Sequence, residues 1–162
     1  MVTRRQILAA LAGVAVASRT GAAADSYSGP VPPKKDVPYL LHADNLIETE
    51  VINASELSQK KDVTFSVPGA TSPARTPLAE PIFLFASDHI TPDSLSLYQF
   101  DVKNGHREIK IPRSKGGVKS FHTSLRTLAP GLFRIEAAEY LENGEYALSP
   151  EGQNIAFCFT VF

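Results

Sequence analysis

Apolar and polar residues alternate with a period of two along most of this chain, and only one short stretch carries a helical pattern. Residues 63–67 show the alternation clearly, with Val63, Phe65 and Val67 separated by polar residues before Pro68-Gly69 ends the run. Successive side chains of a β-strand point to opposite faces, so the pattern predicts strands with one buried face. The chain is therefore expected to fold into sheets joined by turns.

Asn104-Gly105 is the strongest hairpin signal, because both residues tolerate the positive φ that a two-residue hairpin turn requires. Alternating residues stand on both sides of it, at 98–102 and 109–111. Residues 82–86 are continuously apolar, which predicts a central strand buried on both faces. About eight or nine short strands can be counted, and the fold class predicted is all-β, a single antiparallel β-sandwich.

Residues 53–61 are the one helix candidate, with Asn53 as an N-cap and Glu56 three residues later. The helix would have one or two turns.

A short turn motif refines the fold class. Residues 141–146 read Leu-Glu-Asn-Gly-Glu-Tyr, which resembles the L-x-P-G-x-Y turn of immunoglobulin-like and transthyretin-like sandwiches, with Asn143 in place of proline. The resemblance implies an immunoglobulin-like sandwich in which Gly144 shapes the turn and the Tyr146 hydroxyl closes a corner onto nearby backbone. A similar glycine-to-aromatic spacing occurs at Gly131 and Phe133. Because the motif occurs in many unrelated families, it carries no activity.

The first 24 residues have the three parts of a signal peptide: a basic start, an apolar stretch at 7–17 and small residues at 21–24. The apolar stretch is too short for the roughly 20 residues of a membrane-spanning helix. Residues 3–8 resemble the twin-arginine export signature through Arg4 and Arg5, and Arg19 before the cleavage site is typical of such signals. The resemblance implies the twin-arginine machinery and signal peptidase as partners and a bacterial periplasmic or secreted location. Ordinary secretion and an uncleaved tether are the alternatives.

Residues 25–36 are rich in proline and are predicted to form a semi-rigid linker, which leaves 37–162 as the β-sandwich domain. Without residues 1–24 the chain has 13 basic and 17 acidic residues, a net charge of about −4 that disfavours nucleic acid as a partner. Cys158 is the single cysteine, so no internal disulfide can form. Its apolar neighbours favour a buried thiol over a bridge between chains.

No motif predicts a catalytic, metal or cofactor site. His42, His89, His106 and His122 lack the close spacing of zinc ligands, and no serine has the G-x-S-x-G context of a nucleophile. The sequence therefore favours a non-enzymatic binding or accessory module. The alternative is a small periplasmic hydrolase or metal-dependent enzyme whose site is assembled from separated loops.

Residues 103–126 contain seven basic residues and a single acid, Glu108. Four of the cations, Lys110, Arg113, Lys115 and Lys119, flank Gly116-Gly117, and they are the candidate surface for an anionic envelope lipid, a polymer or an acidic protein. The alternative is a solvated loop whose lysines protect an exposed sheet edge.

The export prediction can be tested directly. Replacing Arg4 and Arg5 together with lysine should leave the precursor in the cytoplasm, because the twin-arginine signature is read as a pair of arginines. Cell fractionation followed by immunoblotting measures the result. Normal export of the double variant would show that the general secretory route is sufficient.

Overall fold

The computed structural model describes residues 26–59, 61–112 and 117–162. Within these ranges the chain forms fourteen β-strands and one short 3-10 turn at Pro92–Ser94, with no α-helix. The all-β antiparallel sandwich predicted from the sequence is confirmed. The number of strands is higher than the eight or nine predicted, because several extended stretches break as they pass from one sheet to another.

In chain order the strands are β1 (Pro38–His42), β2 (Asn45–Glu48), β3 (Glu50–Asn53), β4 (Ser55–Ser58), β5 (Asp62–Pro68), β6 (Arg75–Thr76), β7 (Ile82–Ala86), β8 (Leu95–Gln99), β9 (Asp101–Lys103), β10 (His106–Pro112), β11 (Thr123–Ala129), β12 (Leu132–Ala137), β13 (Gly144–Pro150) and β14 (Ile155–Val161). They form three sheets. The front sheet has the order β11-β12-β7-β1-β2, the middle sheet β3-β14-β13-β8 and the outer sheet β4-β5-β10-β9. All pairs are antiparallel except β6, which pairs in parallel with the end of β14.

The middle sheet is buried on both faces, and strand β14 shows how. Phe157, Phe159 and Val161 belong to the core that the middle sheet shares with the front sheet. Ala156 and Cys158, on the opposite face of the same strand, belong to a second core shared with the outer sheet. Alternation therefore separates two cores: large side chains face the front sheet and small side chains face the outer sheet.

One extended segment, residues 45–58, contributes a strand to every sheet. It runs as β2 in the front sheet, β3 in the middle sheet and β4 in the outer sheet, with breaks at Thr49 and Ala54. Thr49 is buried, and its hydroxyl and its amide both donate to the carbonyl of Pro38, at 2.7 and 3.3 Å. The crossing between the front and middle sheets is thus fixed by hydrogen bonds that a solvated loop would lack.

The helix predicted for residues 53–61 is wrong, because this stretch contains β4. Glu56 lies opposite Phe65 and Leu57 opposite Thr64 in the pairing of β4 with β5. A helix of one or two turns is marginal without tertiary packing. Here the sheet supplies hydrogen-bond partners that outweigh the local capping pattern.

The middle and outer sheets close into a ring. Residues 50–58 pass from the middle to the outer sheet at Ala54, and residues 95–103 make the same passage at Phe100. The remaining pairings complete a ring of six strands: β3/β4, β14, β13, β8/β9, β10 and β5. The Asn104-Gly105 hairpin lies in this ring, with φ of 50° and 76° at its two turn residues. The pair therefore has the positive φ values expected of it.

Residues 26–36, the segment predicted as a linker, lie across the outward face of the front sheet. Pro32 in this segment is buried, and Lys34 Nζ is 2.7 Å from Glu48 Oε1 on β2. Tyr39 and Leu84 face outward on β1 and β7, yet only 3% and 1% of their surfaces are exposed. The segment therefore covers the outward face of the front sheet.

Asp36 anchors the end of this segment. Its Oδ1 accepts hydrogen bonds from the backbone N–H groups of Asp88, His89 and Ile90 at 2.9 to 3.0 Å, and its Oδ2 lies 2.9 Å from His89 Nδ1. Partial burial opposes ionisation, but these donors together hold the pKa of Asp36 well below its ordinary value. The carboxylate thus stays charged and fixes the loop that follows β7.

Tyr146 lies in the core between the front and middle sheets. Its hydroxyl donates to the backbone carbonyl of Glu142 at 2.8 Å, which is the corner geometry implied by the turn motif. Its ring is stacked on Phe159 at 5.7 Å and meets Phe121 edge-on at 5.8 Å. A Cβ on Gly144 would lie 3.3 Å from the Gln99 side chain, so the glycine permits a close approach between β13 and β8.

Replacing Tyr146 with phenylalanine should lower the free energy of unfolding by about 1 kcal/mol, because the Glu142 carbonyl loses its partner while the ring packing is kept. Urea denaturation followed by circular dichroism measures the change. Tyr140→Phe is the matched control, since Tyr140 is 72% exposed and should show no change. Equal stability of the two variants would contradict a structural role for the corner bond.

Candidate functional site

A cleft of about 300 Å³ opens at one end of the strand ring. Its walls are formed by apolar side chains of the outer sheet, including Phe65 on β5 and Ile109 and Ile111 on β10. Its floor is formed by Ala147 and Ala156 on the middle sheet. The floor residues are buried, whereas the wall residues remain half-exposed. The cleft is thus an apolar cavity that solvent can reach.

The cleft arises from a mismatch in side-chain size across the ring. The middle sheet presents small side chains at Ala147, Ala156 and Cys158, so large side chains from the outer sheet do not fill the space between the layers. Native interiors are close-packed, with few voids larger than a water molecule. An apolar space of this size is therefore a feature to be explained rather than an ordinary packing gap.

Most of the polar groups that line the cleft lie on one side of it. They come from the loop between β13 and β14, which includes Glu151, Gln153 and Asn154, and from Ser149 at the end of β13. Backbone bonds hold this loop: Glu151 N donates to Ser94 O at 2.9 Å, and Ala54 N donates to Asn154 O at 2.8 Å. The side chains of Gln153 and Asn154 are exposed on this fixed backbone. The mouth of the cleft consequently has hydrogen-bonding groups at defined positions.

Arg107 fills the opposite end of the ring. Its guanidinium is fully buried, with Nη1 donating to Glu50 Oε2 at 2.7 Å and lying 3.8 Å from Glu145 Oε2. Its Nε and Nη2 donate to the carbonyls of Gly69 and Pro68 at 3.0 and 2.9 Å. Burial opposes the charge, but the Glu50 hydrogen bond and the two carboxylates leave the pKa of Arg107 raised. This end of the ring is closed by a satisfied ion cluster.

Glu145 extends the cluster into the middle sheet. Its carboxylate accepts from the backbone N–H of Ser72 at 2.9 Å and from the Thr160 hydroxyl at 2.8 Å. Cys158 is buried next to this cluster, and burial raises the pKa of its thiol to about 12. A thiol in that state is a poor nucleophile, because the thiolate is the reactive form. The buried position agrees with the sequence-based preference for a core thiol.

The structure places the cations of residues 103–126 in different surroundings. Arg107, one of the seven basic residues of this segment, is buried in the ion cluster. Lys110 is exposed and lies 3.0 Å from Asp62 Oδ2, and Lys119 is also exposed. Arg113 and Lys115 lie outside the described residues. Among the described cations, the surface available to an anion is therefore smaller than the sequence suggests, because Arg107 is used inside the fold.

The four histidines lie on separate elements, and each is exposed. His42 ends β1 and His106 begins β10, whereas His89 and His122 pair with Asp36 and Glu139. In the part of the chain that the structure describes, no three His, Cys, Asp or Glu side chains are grouped so that they could hold a metal ion.

The signal residues Arg4 and Arg5 lie outside the described ranges, as does everything before residue 26. From residue 26 onward, the described chain has no helix of the length and hydropathy needed to cross a bilayer.

Sequence reasoning missed the cleft. Its lining residues come from strands that are far apart in the chain. Only the pairing of those strands in the sheets shows which residues line the same cavity. A weak signal was nevertheless present. Ala147, Ala156 and Cys158 are small residues at alternate positions of strands whose other face carries large ones. Such an asymmetry indicates a sheet with two unequal cores.

Replacing Arg107 with methionine should lower the free energy of unfolding by about 3 to 5 kcal/mol, because Glu50 and Glu145 would keep partly buried carboxylates without their cation. Urea denaturation measures the loss. Lys110→Met, on the same strand but 62% exposed, should cost less than about 1 kcal/mol. Adding Glu50→Gln to Arg107→Met should recover part of the loss. Similar small effects from both single variants would contradict a closing role for the ion cluster.

No protein-family model matches this chain, and comparisons with curated proteins and with solved structures likewise found no significant similarity.

Proposed function

We propose that this protein is an exported, non-enzymatic binding module that holds a small apolar molecule in the cleft of its strand ring. The observation that carries the proposal is the solvent-accessible apolar cavity between Ala147 and Ala156 on one side and Phe65, Ile109 and Ile111 on the other. Small-molecule sites are typically concave, mostly apolar and bordered by a few placed polar groups. The cleft combines these properties.

The size of the cleft suits a single small ligand. Known ligand pockets begin at about 300 Å³, and a dry apolar cavity of about 150 Å³ is enough to bind benzene. Water in such a cleft would find few polar partners, so an apolar ligand that displaced it would gain burial of its own surface at about 25 cal/mol per Å². The expected driving force is therefore the hydrophobic effect.

The surroundings of the titratable groups support a binding module over an enzyme. A general acid or base must lie within hydrogen-bond reach of the atom on which it acts. The described histidines are dispersed over the surface, and the carboxylates of Glu50 and Glu145 are occupied by Arg107, Ser72 and Thr160 at the closed end of the ring. Export through the twin-arginine route remains part of the proposal, on the residues of the signal peptide.

Binding can be measured with N-phenylnaphthylamine, an uncharged apolar dye whose fluorescence rises when it leaves water. The domain comprising residues 25–162 should bind the dye in a saturable manner. Ala54→Phe should weaken binding about tenfold or more, because Ala54 lines the cleft and a phenyl ring would fill the space. Ile111→Asp should do the same by placing a charge in the apolar wall.

Ala138→Phe is the matched control, since Ala138 is exposed and lies outside the cleft. It should bind the dye like the unmodified domain, and all variants should keep a similar melting temperature. Absence of saturable binding, or equal binding by Ala54→Phe, would overturn the proposed site. A different result would assign the function to residues 103–126. The domain would then bind anionic vesicles, binding would weaken as salt is raised, and it would be lost when four cations are changed to serine: Lys110, Arg113, Lys115 and Lys119.

A further inference from the structure

The geometry points to a more specific ligand class: we infer that the cleft takes an amphiphile with an uncharged or cationic polar end, and that it discriminates against an anionic one. The inference rests on the proposed function, since it concerns the same cleft. It follows from where the polar and charged groups lie relative to the apolar walls.

The ligand must enter with its apolar part first. Beyond Ala147 and Ala156 the interior of the ring continues with Val67, Phe100 and Cys158, all of which are buried. The next polar group is the guanidinium of Arg107, whose donors are already bonded to Glu50, Gly69 and Pro68. A polar ligand group pushed inward would therefore lose its water and gain no hydrogen-bond partner, which disfavours that orientation.

The polar end of the ligand would lie against the loop between β13 and β14. Glu151, Gln153 and Asn154 are exposed there and line the cleft. The amide groups of Gln153 and Asn154 offer both donors and acceptors, so they suit a hydroxyl, an ether or an amide on the ligand. An amphiphile would satisfy the apolar walls and this loop together.

The charge at the mouth sets the preference for the head group. Among the described residues that line the cleft, Glu151 is the one with a charged side chain. Glu56 lies directly opposite Phe65 in the outer sheet, so its exposed side chain stands on the same face as the apolar wall. Lys110 alternates with the inward-facing Ile109 and Ile111, so it stands on the opposite face, where Asp62 pairs with it. A carboxylate head group would therefore meet like charge.

The volume of the cleft limits the apolar part. A cavity of about 150 Å³ holds the six carbons of benzene, so the 300 Å³ observed holds about ten to twelve carbons by the same ratio. A ten-carbon chain is consequently a suitable probe.

Three amphiphiles with the same chain but different head groups test the inference: decanol, decyltrimethylammonium and decanoate. Each is titrated against N-phenylnaphthylamine bound to the domain, below its micelle concentration and at low salt. Decanol and decyltrimethylammonium should displace the dye. Decanoate should require a concentration at least about fivefold higher, because one like-charge pair near the surface repels it by that much. The difference should shrink as salt is raised.

Glu151→Gln should reduce the difference between decanoate and decanol, and adding Glu56→Gln should reduce it further. Glu80→Gln, an exposed carboxylate outside the cleft, is the matched control and should leave the difference unchanged. Equal displacement by all three amphiphiles, or tighter binding of decanoate, would overturn the head-group preference while leaving the cleft as the binding site. If the dye binds but no amphiphile displaces it, the amphiphile inference fails and the proposed function stands; if the dye itself does not bind, both fail.

Discussion

The fold depends on one extended segment, residues 45–58, because it is the only stretch in the described chain that pairs in all three sheets. Its breaks at Thr49 and Ala54 fix where the chain leaves one layer and joins the next. With the second passage at Phe100, the crossing at Ala54 turns two stacked sheets into a ring. The ring is continuous through this segment because its residues before Ala54 pair with β14 and those after it pair with β5.

The two ends of the ring differ in a way that suits binding. At one end Arg107 satisfies its donors with Glu50 and backbone carbonyls, so the ring is closed by charge and hydrogen bonds. At the other end small residues on the middle sheet leave an apolar opening. A buried ion pair is weak evidence for stability, since desolvation offsets much of its attraction, but it fixes the geometry of the strands that carry it.

The parts of the fold that were predicted correctly depend on local chemistry. Asn104-Gly105 forms its hairpin because these residues adopt positive φ whatever the surroundings, and the apolar run at Ile82–Ala86 is central because it has no polar face to expose. The errors came from long-range contacts. The predicted helix gave way to a strand because β5 pairs with Ser55–Ser58, and the ion cluster of Arg107 was not predicted because Glu50 and Glu145 are distant from it in the chain.

The sequence by itself determined that the chain makes strands and where its tightest turn lies, and it favoured a buried Cys158, because alternation, turn propensity and local hydropathy are encoded by neighbouring residues. It also carries the signal-peptide pattern that predicts export. Tertiary structure alone decided that the strands form three layers, that residues 26–36 cover the front sheet, and that an apolar cleft opens between Ala147 and Ile109. The reason is physical: a period of two shows which residues share a face, but the partner of each face is set by pairings between strands that can lie more than a hundred residues apart.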